Sequence, residues 1–181
     1  MKGFNSEDWQ ELRFDIDRSV NPDIVGTLTD MSAVETSSVD AIFSSHNIEH
    51  IYAHEVPTAL SEFYRVLKPE GFAVIASPDL QAACEAVAQN RLLEPLYTSS
   101  AGPISAIDML YGHRASLAAG NHFMAHKCGF TFSVLSDACI RAGFKATFGG
   151  RALVTFDLWL IAFKAMMGEE DMRRAATAYL P

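Results

Sequence analysis

Apolar and polar positions alternate along the chain in short blocks whose spacing predicts strands and helices in turn. Three blocks in the N-terminal part are typical of strands, because they are short, apolar and bounded by acids, proline or glycine. They are ELRFDID at 11–17, NPDIVG at 21–26 and VDAIFSS at 39–45. The third block is apolar on both faces, as expected of a parallel strand that helices cover on both sides.

Helical spacing follows the third of these strands. Apolar residues recur at helical intervals from Val56 to Leu67, which predicts a helix over 55–67. A KPEG turn is expected to end this helix before a buried strand at 72–77, and Asp79 is expected to cap a second helix. The remaining chain predicts a helix at 133–142, strands at 144–149 and 153–163, and a short helix at 169–179.

Periodicity fades over residues 91–130, which are rich in glycine, proline, serine and histidine. We expect a loop-rich insertion there, within a single domain that spans residues 1–181. Alternating strands and helices predict an α/β fold with a covered sheet, in which ligands bind at the carboxyl ends of the strands.

Composition narrows the classes of function. The chain of 181 residues carries a net charge of −8, which repels phosphate backbones, so no nucleic acid partner is expected. No apolar run approaches the ~20 residues of a membrane span, and the polar start is unlike a signal peptide. These features favour a cytoplasmic protein without a membrane partner. The three cysteines are far apart and form no CxxC pair, so we expect reduced thiols.

The stretch SSHNIEHIYAHE places His46, His50 and His54 four residues apart. On one continuous helix such histidines share a face and can bind zinc, which would suggest a metal hydrolase. Pro57 would clash with the carbonyl four residues earlier and break that helix, and no HExxH arrangement is present. We therefore predict no metal site from this spacing. His50 is expected to have a structural role in a loop, and His46, at the strand end, that of a catalytic base.

The motifs FDID, VDAIFSSHNIEH and FYRVLKPEGFAVIASPD follow one another in an order that resembles the class I S-adenosylmethionine-dependent methyltransferases. The last two motifs are specific in combination. The resemblance covers residues 10–80 well and residues 130–163 by element order. It implies a three-layer Rossmann-like sheet, S-adenosylmethionine as the cofactor, and transfer of a methyl group to an O or N nucleophile of a small molecule.

Position by position, the resemblance implies a cofactor site at the strand ends. Asp15 falls where the family's acid binds the ribose hydroxyls, since a carboxylate accepts from two hydroxyls at once. Asp17 is the alternative if the strand ends two residues later, and either acid has an ordinary role as a cap or turn former. Thr27 falls where many members have an acid that faces the adenine amino group, and Leu28 would flank the ring. Ser45 would line the mouth of the pocket.

The family begins with a strand and a glycine-rich loop, whose glycines let the backbone approach the cofactor's methionine part. Here ten residues with one glycine, Gly3, precede ELRFDID. The resemblance therefore implies an N-terminally truncated sheet in which the first strand is absent. That strand is normally central, so its neighbours would pair directly, or the N-terminal segment or another chain would fill the gap.

An unpaired strand edge in such a sheet favours a homodimer. The alternative function is accordingly a non-catalytic module with the methyltransferase fold that serves oligomerisation or partner binding. The segment GNHFMAHKCGF, with His122 and His126, lies where the family usually places residues that read the substrate. It is a candidate surface for a substrate or a partner.

Overall fold

The computed structural model describes residues 2–181, and a four-stranded sheet with helices on both faces lies at its centre. The strands are β1 (Phe14–Asp15), β2 (Ile24–Val25), β3 (Val39–Ser45), β4 (Leu67–Pro78), β5 (Pro95–Ser99), β6 (Gly102–Ser105), β7 (Ala146–Ala152) and β8 (Asp157–Phe163). The helices are α1 (Val56–Val66), α2 (Leu80–Ala88), α3 (Ala106–Tyr111), α4 (Arg114–Ala118), α5 (Phe132–Arg141) and α6 (Glu169–Tyr179).

The main sheet has the strand order β3-β4-β8-β7. β3 and β4 run parallel, with Ser45 opposite Ala76, whereas β8 is antiparallel to both β4 and β7. Within residues 2–181, β3 therefore forms one edge of this sheet. β1 and β2 pair in parallel as a separate two-residue ladder, and β5 and β6 form a hairpin.

Alternate side chains of β4 face two apolar layers, which is why this strand is apolar on both sides. Ile75 faces the layer formed by α1 and α5, where Leu60, Phe63 and Leu135 are buried. Val74 faces the opposite layer, formed by α6 and the N-terminal segment around Phe4. The sheet is thus enclosed on two faces, and the α/β layered fold that the sequence predicts is confirmed.

Several predicted elements form where the pattern places them, among them β3, α1 and α6, and Asp79 caps α2 by accepting from the Gln81 amide. The predicted KPEG turn is wrong. Val39 lies opposite Leu67 and Ala41 lies opposite Phe72, so residues 68–71 form a bulge within β4. The bulge lets the chain pass directly from α1 into the strand.

The N-terminal strands are shorter than the predicted 11–17 and 21–26. After β1, the Asp17 carboxylate accepts a hydrogen bond from the Ser19 amide and caps a 3-10 turn over Arg18–Val20, which ends the strand. Residues 91–130 contain β5, β6, α3 and α4 between their loops. The longest described helices, α1 and α6, have 11 residues each, too few to cross a bilayer.

Candidate functional site

The candidate site begins where β3 ends. His46 follows Ser45 directly and has a φ of 55°, a left-handed conformation that is rare for a residue with a side chain. Its amide donates to the carbonyl of Ala76 at 2.9 Å, which holds the residue on the sheet. A backbone strained in this way, of the order of 1 kcal/mol or more, is found preferentially at functional sites.

Both ring nitrogens of His46 face a carboxylate. Nδ1 lies 3.4 Å from Oε1 of Glu49, and Nε2 lies 3.5 Å from Oδ1 of Asp157. These distances exceed those of normal N–H···O hydrogen bonds, so the groups interact mainly through charge. Burial by itself lowers the pKa of His46, but the two carboxylates together raise this pKa above its ordinary value.

The two acids that flank His46 are buried. Glu49 is 1% exposed and Asp157 is 8% exposed. Within residues 2–181, three of their carboxylate oxygens have no hydrogen-bond partner, namely both oxygens of Glu49 and Oδ1 of Asp157. Burial raises the pKa of Asp157, and burial with the nearby carboxylates raises the pKa of Tyr97 to about 12. Tyr97 therefore keeps its proton and remains a hydrogen-bond donor next to these acids.

Two further histidines complete the cluster. The rings of His50 and His126 are edge to face, with centroids 5.0 Å apart. Nδ1 of His50 lies 3.1 Å from the Ala125 carbonyl oxygen, and Nδ1 of His126 lies 2.8 Å from that of Met109. Because a carbonyl only accepts, each Nδ1 carries the proton and each Nε2 of the neutral ring has a lone pair.

Backbone contacts bring His126 to this place from a distant part of the chain. The His126 amide donates to the Tyr111 carbonyl at 3.2 Å, and Ala125 forms a bridge with Gly112. The Lys127 amide donates to the Glu49 carbonyl at 2.8 Å. The segment after α4 is thereby fixed to the 3-10 turn Ile48–His50, which follows β3.

The arrangement has two chemical capacities. His46 is half-exposed and lies between two acids, which suits a group that accepts a proton from a bound nucleophile and is then stabilised as an imidazolium. Glu49, His50 and His126 offer an oxygen and two nitrogens within 4.8 Å of one another, a set of donors that metal ions use. His54 lies outside the cluster, exposed and stacked on Tyr52.

The predicted cofactor residues Asp15 and Asp17 lie at the end of β1. Asp15 accepts a hydrogen bond from the Asp17 amide through Oδ1, and Asp17 accepts from the Ser19 amide through its own Oδ1. In both carboxylates Oδ2 makes no hydrogen bond within the described chain. An open groove of about 450 Å³ separates Asp17 and Ser19 from the loop Asn121–Phe123.

The other predicted cofactor residues are placed differently. The Thr27 hydroxyl is 2.9 Å from that of Thr29, and Leu28 packs against the main core, which removes much of its surface from any ligand. Ser45 is half-buried beside Ala76, next to His46. These three residues do not line the groove beside Asp17.

S-adenosylmethionine has a nucleoside half and a methionine half, and the residues fit them unequally. The groove has the volume of small-molecule pockets, about 300–1,000 Å³, and offers a carboxylate and the exposed ring of Phe123. Gly3, the glycine ahead of β1, packs against Tyr179 of α6 and does not form a cofactor loop. The residues described here fit the nucleoside half.

Sequence reasoning missed part of this site. Asp157 is an acid within an otherwise apolar strand. That contrast could have indicated a functional residue, because acids are rarely buried without a partner. Tyr97 carries no such signal, and its approach to the cluster depends on the hairpin β5–β6. The grouping of His126 with His50 depends on contacts between segments that lie 75 residues apart, which no spacing reveals.

Residues 9–75 match a family model described as a methyltransferase domain. The resemblance to the methyltransferase family is confirmed. The matched part of this chain contains β1 to β3 and most of β4, and with them Asp15, Asp17, His46 and Glu49. The family implies S-adenosylmethionine as the methyl donor. His126 and Asp157 lie outside the matched part.

One of the similar solved structures, with a TM-score of 0.50, shows the same fold. An S-adenosylmethionine-dependent methyltransferase of Thermotoga maritima, described as a possible histamine N-methyltransferase, has 15% identity over 78% of this chain, with a TM-score of 0.50. A methyltransferase of Methanosarcina mazei has 16% identity over 79% of the chain and a TM-score of 0.49. An O-methyltransferase family protein of Burkholderia thailandensis has 14% identity over 80%, with a TM-score of 0.49.

This chain spans less than two thirds of the length of each of those proteins. It covers 63% of the first, 66% of the second and 36% of the third. A search of curated proteins found no match.

Proposed function

We propose that this chain acts as an S-adenosylmethionine-dependent methyltransferase on a small molecule, with His46 as the base that takes the proton from an O or N nucleophile. The observation that carries the proposal is the placement of His46 at the carboxyl end of β3, with both ring nitrogens within 3.5 Å of a carboxylate. The methyltransferase match over residues 9–75 supplies the reaction class.

The chemistry follows from this placement. Methyl transfer needs the nucleophile in line with the donor carbon, so positioning supplies much of the rate. An oxygen or nitrogen nucleophile that loses its proton to His46 attacks more readily, and Glu49 and Asp157 then stabilise the imidazolium. A base is most effective when its pKa lies near the working pH, which is the range in which histidine titrates.

The cofactor is proposed to bind with its nucleoside half in the groove beside Asp17. The carboxylate of Asp17 lines the groove and is available to the ribose hydroxyls, and Phe123, 53% exposed, offers a ring on which adenine can stack. Binding in this groove would use the 121–123 loop, which lies in the segment expected to contact a substrate or a partner.

Calorimetric titration with S-adenosylmethionine tests the proposal. We expect saturable binding that weakens at least about tenfold in Asp17→Asn, since this variant loses a charge-assisted hydrogen bond in the groove. Asp40→Asn is the matched control, because Asp40 is an exposed acid paired with Lys68 on another face, and it should bind as the wild type does. Wild-type protein that binds no cofactor at millimolar concentration would contradict the proposal.

The role of His46 needs a separate assay. Formation of S-adenosylhomocysteine is measured with a panel of small phenols, amines and carboxylic acids. His46→Gln should retain cofactor affinity while losing turnover, and the pH profile of the remaining rate should flatten. Equal loss of binding and turnover would assign His46 to the cofactor pocket and not to proton removal.

A non-catalytic module is the second candidate, and one observation favours it. Within residues 2–181, β3 is an edge strand, and an edge of seven residues is a template for pairing with a second chain. Sedimentation equilibrium of the purified chain tests this candidate. A dimer that forms without cofactor and binds none supports the module, whereas a monomer at all concentrations contradicts it.

A further inference from the structure

We propose that Glu49, His50 and His126 form a binding site for a divalent transition-metal ion of the zinc class. The donor atoms of these residues lie within 4.8 Å of one another. The site is separate from the cofactor groove at Asp17 and does not depend on methyl transfer.

The two histidines are prepared as ligands. Each donates its Nδ1 proton to a backbone carbonyl, His50 to Ala125 and His126 to Met109. A second partner of this kind is what fixes the tautomer and orientation of histidines that bind metals through Nε2.

The environment of Glu49 supports a bound cation independently of the two histidines. Its side chain is 1% exposed, and within the described chain neither carboxylate oxygen accepts a hydrogen bond. Buried polar groups in folded proteins nearly always have partners, and a buried charge without one is costly. A cation bound to Oε1 or Oε2 supplies the missing partner.

The three donor atoms must move closer together when a metal ion binds. Bonds of about 2.0–2.1 Å in a tetrahedral zinc site place ligand atoms roughly 3.3 Å apart, against the 4.8 Å that encloses the three donors here. Rotation of the Glu49 side chain provides that movement, because its oxygens accept no hydrogen bond, whereas both histidine rings are held at Nδ1. The Lys127 amide is bonded to the Glu49 carbonyl, which fixes the ligand segments to each other.

The donor set selects the class of metal. Two imidazoles and one carboxylate suit zinc and similar ions such as Co²⁺, whereas Mg²⁺ and Ca²⁺ prefer six or more oxygens. Three protein ligands leave a fourth position for water or a ligand, as in catalytic zinc sites. His46 lies 3.4 Å from Glu49 and would be the neighbouring polar group.

This set differs from the evenly spaced histidines of the sequence. His50 is common to both, but His54 is exposed and stacked on Tyr52, and His126 comes from a distant segment. A purely structural cluster of polar groups is the competing explanation. It predicts the same hydrogen bonds at Nδ1, but it leaves both Glu49 oxygens without a hydrogen-bond partner.

Cobalt titration of the chelator-stripped protein, followed by visible absorption, tests the site, with zinc affinity obtained by competition. We expect one ion per chain and the absorption of a four-coordinate site. Loss of a hydrogen bond that only orients a metal ligand typically weakens metal binding about 10–100-fold. Glu49→Gln and His126→Gln each remove a ligand and should weaken zinc binding by more than that. His122→Gln and His54→Gln are matched controls, because both histidines are exposed, and they should bind as the wild type does.

Thermal unfolding gives a second readout that does not depend on activity. Without metal, Glu49→Gln should unfold at a higher temperature than the wild type, because it replaces a buried carboxylate whose oxygens accept no hydrogen bond. With zinc the order should reverse, since the ion stabilises the wild type alone. Wild-type protein that binds no cobalt or zinc, or a Glu49→Gln variant that binds with wild-type affinity, would overturn the proposal.

Discussion

Asp157 shows how one residue can weaken the fold while serving the site. It begins β8, where a pairing with Pro78 and Ala152 fixes its backbone, and its side chain is directed to His46. Burial raises the pKa of Asp157, with Glu49 and Asp79 adding to the effect. A raised pKa means that the ionised carboxylate destabilises the native state relative to the unfolded chain.

Asp157→Asn is therefore expected to be stabilising. The penalty of the ionised acid grows as pH rises from the ordinary carboxyl value of about 3.9 through the raised pKa, so the variant should gain most at neutral pH and nothing near pH ~3. Removal of the charge should raise the midpoint of thermal unfolding by about 3–6 °C at pH ~7. Scanning calorimetry across pH measures the difference.

Asp137→Asn provides the comparison, because Asp137 lies exposed on α5. This control should leave the midpoint unchanged. If Asp157→Asn were destabilising at neutral pH, the attraction between Asp157 and His46 would outweigh the cost of burial. The ionised Asp157 carboxylate would then stabilise the fold, contrary to the prediction. A stable variant without turnover would be typical of functional residues that trade stability for activity.

Gly112 connects α3 to the segment that carries His126. Its φ is 100°, a left-handed conformation, and a Cβ at this position would overlap the carbonyl oxygen of Met124. The bridge between Gly112 and Ala125 depends on this close approach. The site therefore relies on the absence of a side chain at one turn.

Gly112→Ala should displace residues 124–126 and with them His126. We expect a loss of about 1–3 kcal/mol in the free energy of unfolding, from strain and the lost bridge. Metal affinity should fall as well, although no ligand is changed. Gly150→Ala in β7 is the control, since a Cβ there meets nothing within 4 Å. Equal stability of both variants in urea unfolding would contradict the argument.

The N-terminus of α3 responds to acid in the opposite sense to Asp157. Burial by itself raises the pKa of Asp108, but hydrogen bonds from Arg114 and Ser105 lower it well below its ordinary value. This carboxylate stabilises the fold above the ordinary pKa of about 3.9, and its contribution is lost as pH falls further towards the lowered pKa.

Asp108→Asn should cost about 2 kcal/mol at neutral pH, because hydrogen bonds to a charged acceptor are lost. The difference from the wild type should shrink as the pH falls below ~4. Urea unfolding at a series of pH values measures it, with Asp137→Asn again as the control. A difference that stays constant down to pH ~2 would show that the hydrogen bonds do not depend on ionisation.

Periodicity predicts those elements whose apolar faces meet the main core. β3, α1 and α6 form within about one residue of their predicted bounds, because their spacing alone determines which side is buried. Helical spacing predicts a buried face of α2 that includes Ala83, Cys84 and Val87, but only Ala83 of these three is buried, and Cys84 and Val87 are exposed. Small alanines leave no pattern strong enough to identify the buried side.

The site was predicted in part. The position of His46 at a strand end is predicted by the sequence, its role as a base stays a prediction, and the family match over residues 9–75 lies within the segment that the resemblance covers. His126, Tyr97 and Asp157 join it through tertiary contacts of the hairpin and of the 111–128 segment. Such contacts depend on turn geometry, for example at Gly112, which local patterns do not encode.

Across the whole molecule, aromatic side chains join the two ends of the chain over one face of the sheet. The Tyr179 ring lies 4.7 Å from that of Phe72 and 4.9 Å from that of Phe4. Trp9 packs edge to face on Phe4, with centroids 5.0 Å apart. This layer encloses the side of β3 and β4 opposite α1, so the N-terminal segment and α6 act as one structural unit.

Tyr179→Ala should open this layer. The loss of a large, partly buried ring is expected to cost about 2–3 kcal/mol, and Trp9 should become more exposed. A red shift of tryptophan emission with a lower urea midpoint would show both effects. Tyr111→Ala is the control, because Tyr111 is 66% exposed. If Tyr179→Ala unfolds with the wild-type midpoint, the chain ends contribute little to the sheet.

The hydrogen bond between the Lys127 amide and the Glu49 carbonyl allows the rate at which the donor cluster opens to be measured. This hydrogen bond joins the segment of His126 to the turn that carries Glu49 and His50. Exchange of the Lys127 amide proton with deuterium requires this bond to open, and opening separates the donors. The exchange rate at this one amide thus reports how often the cluster comes apart, and any ion held by the three donors should slow it in proportion to its occupancy.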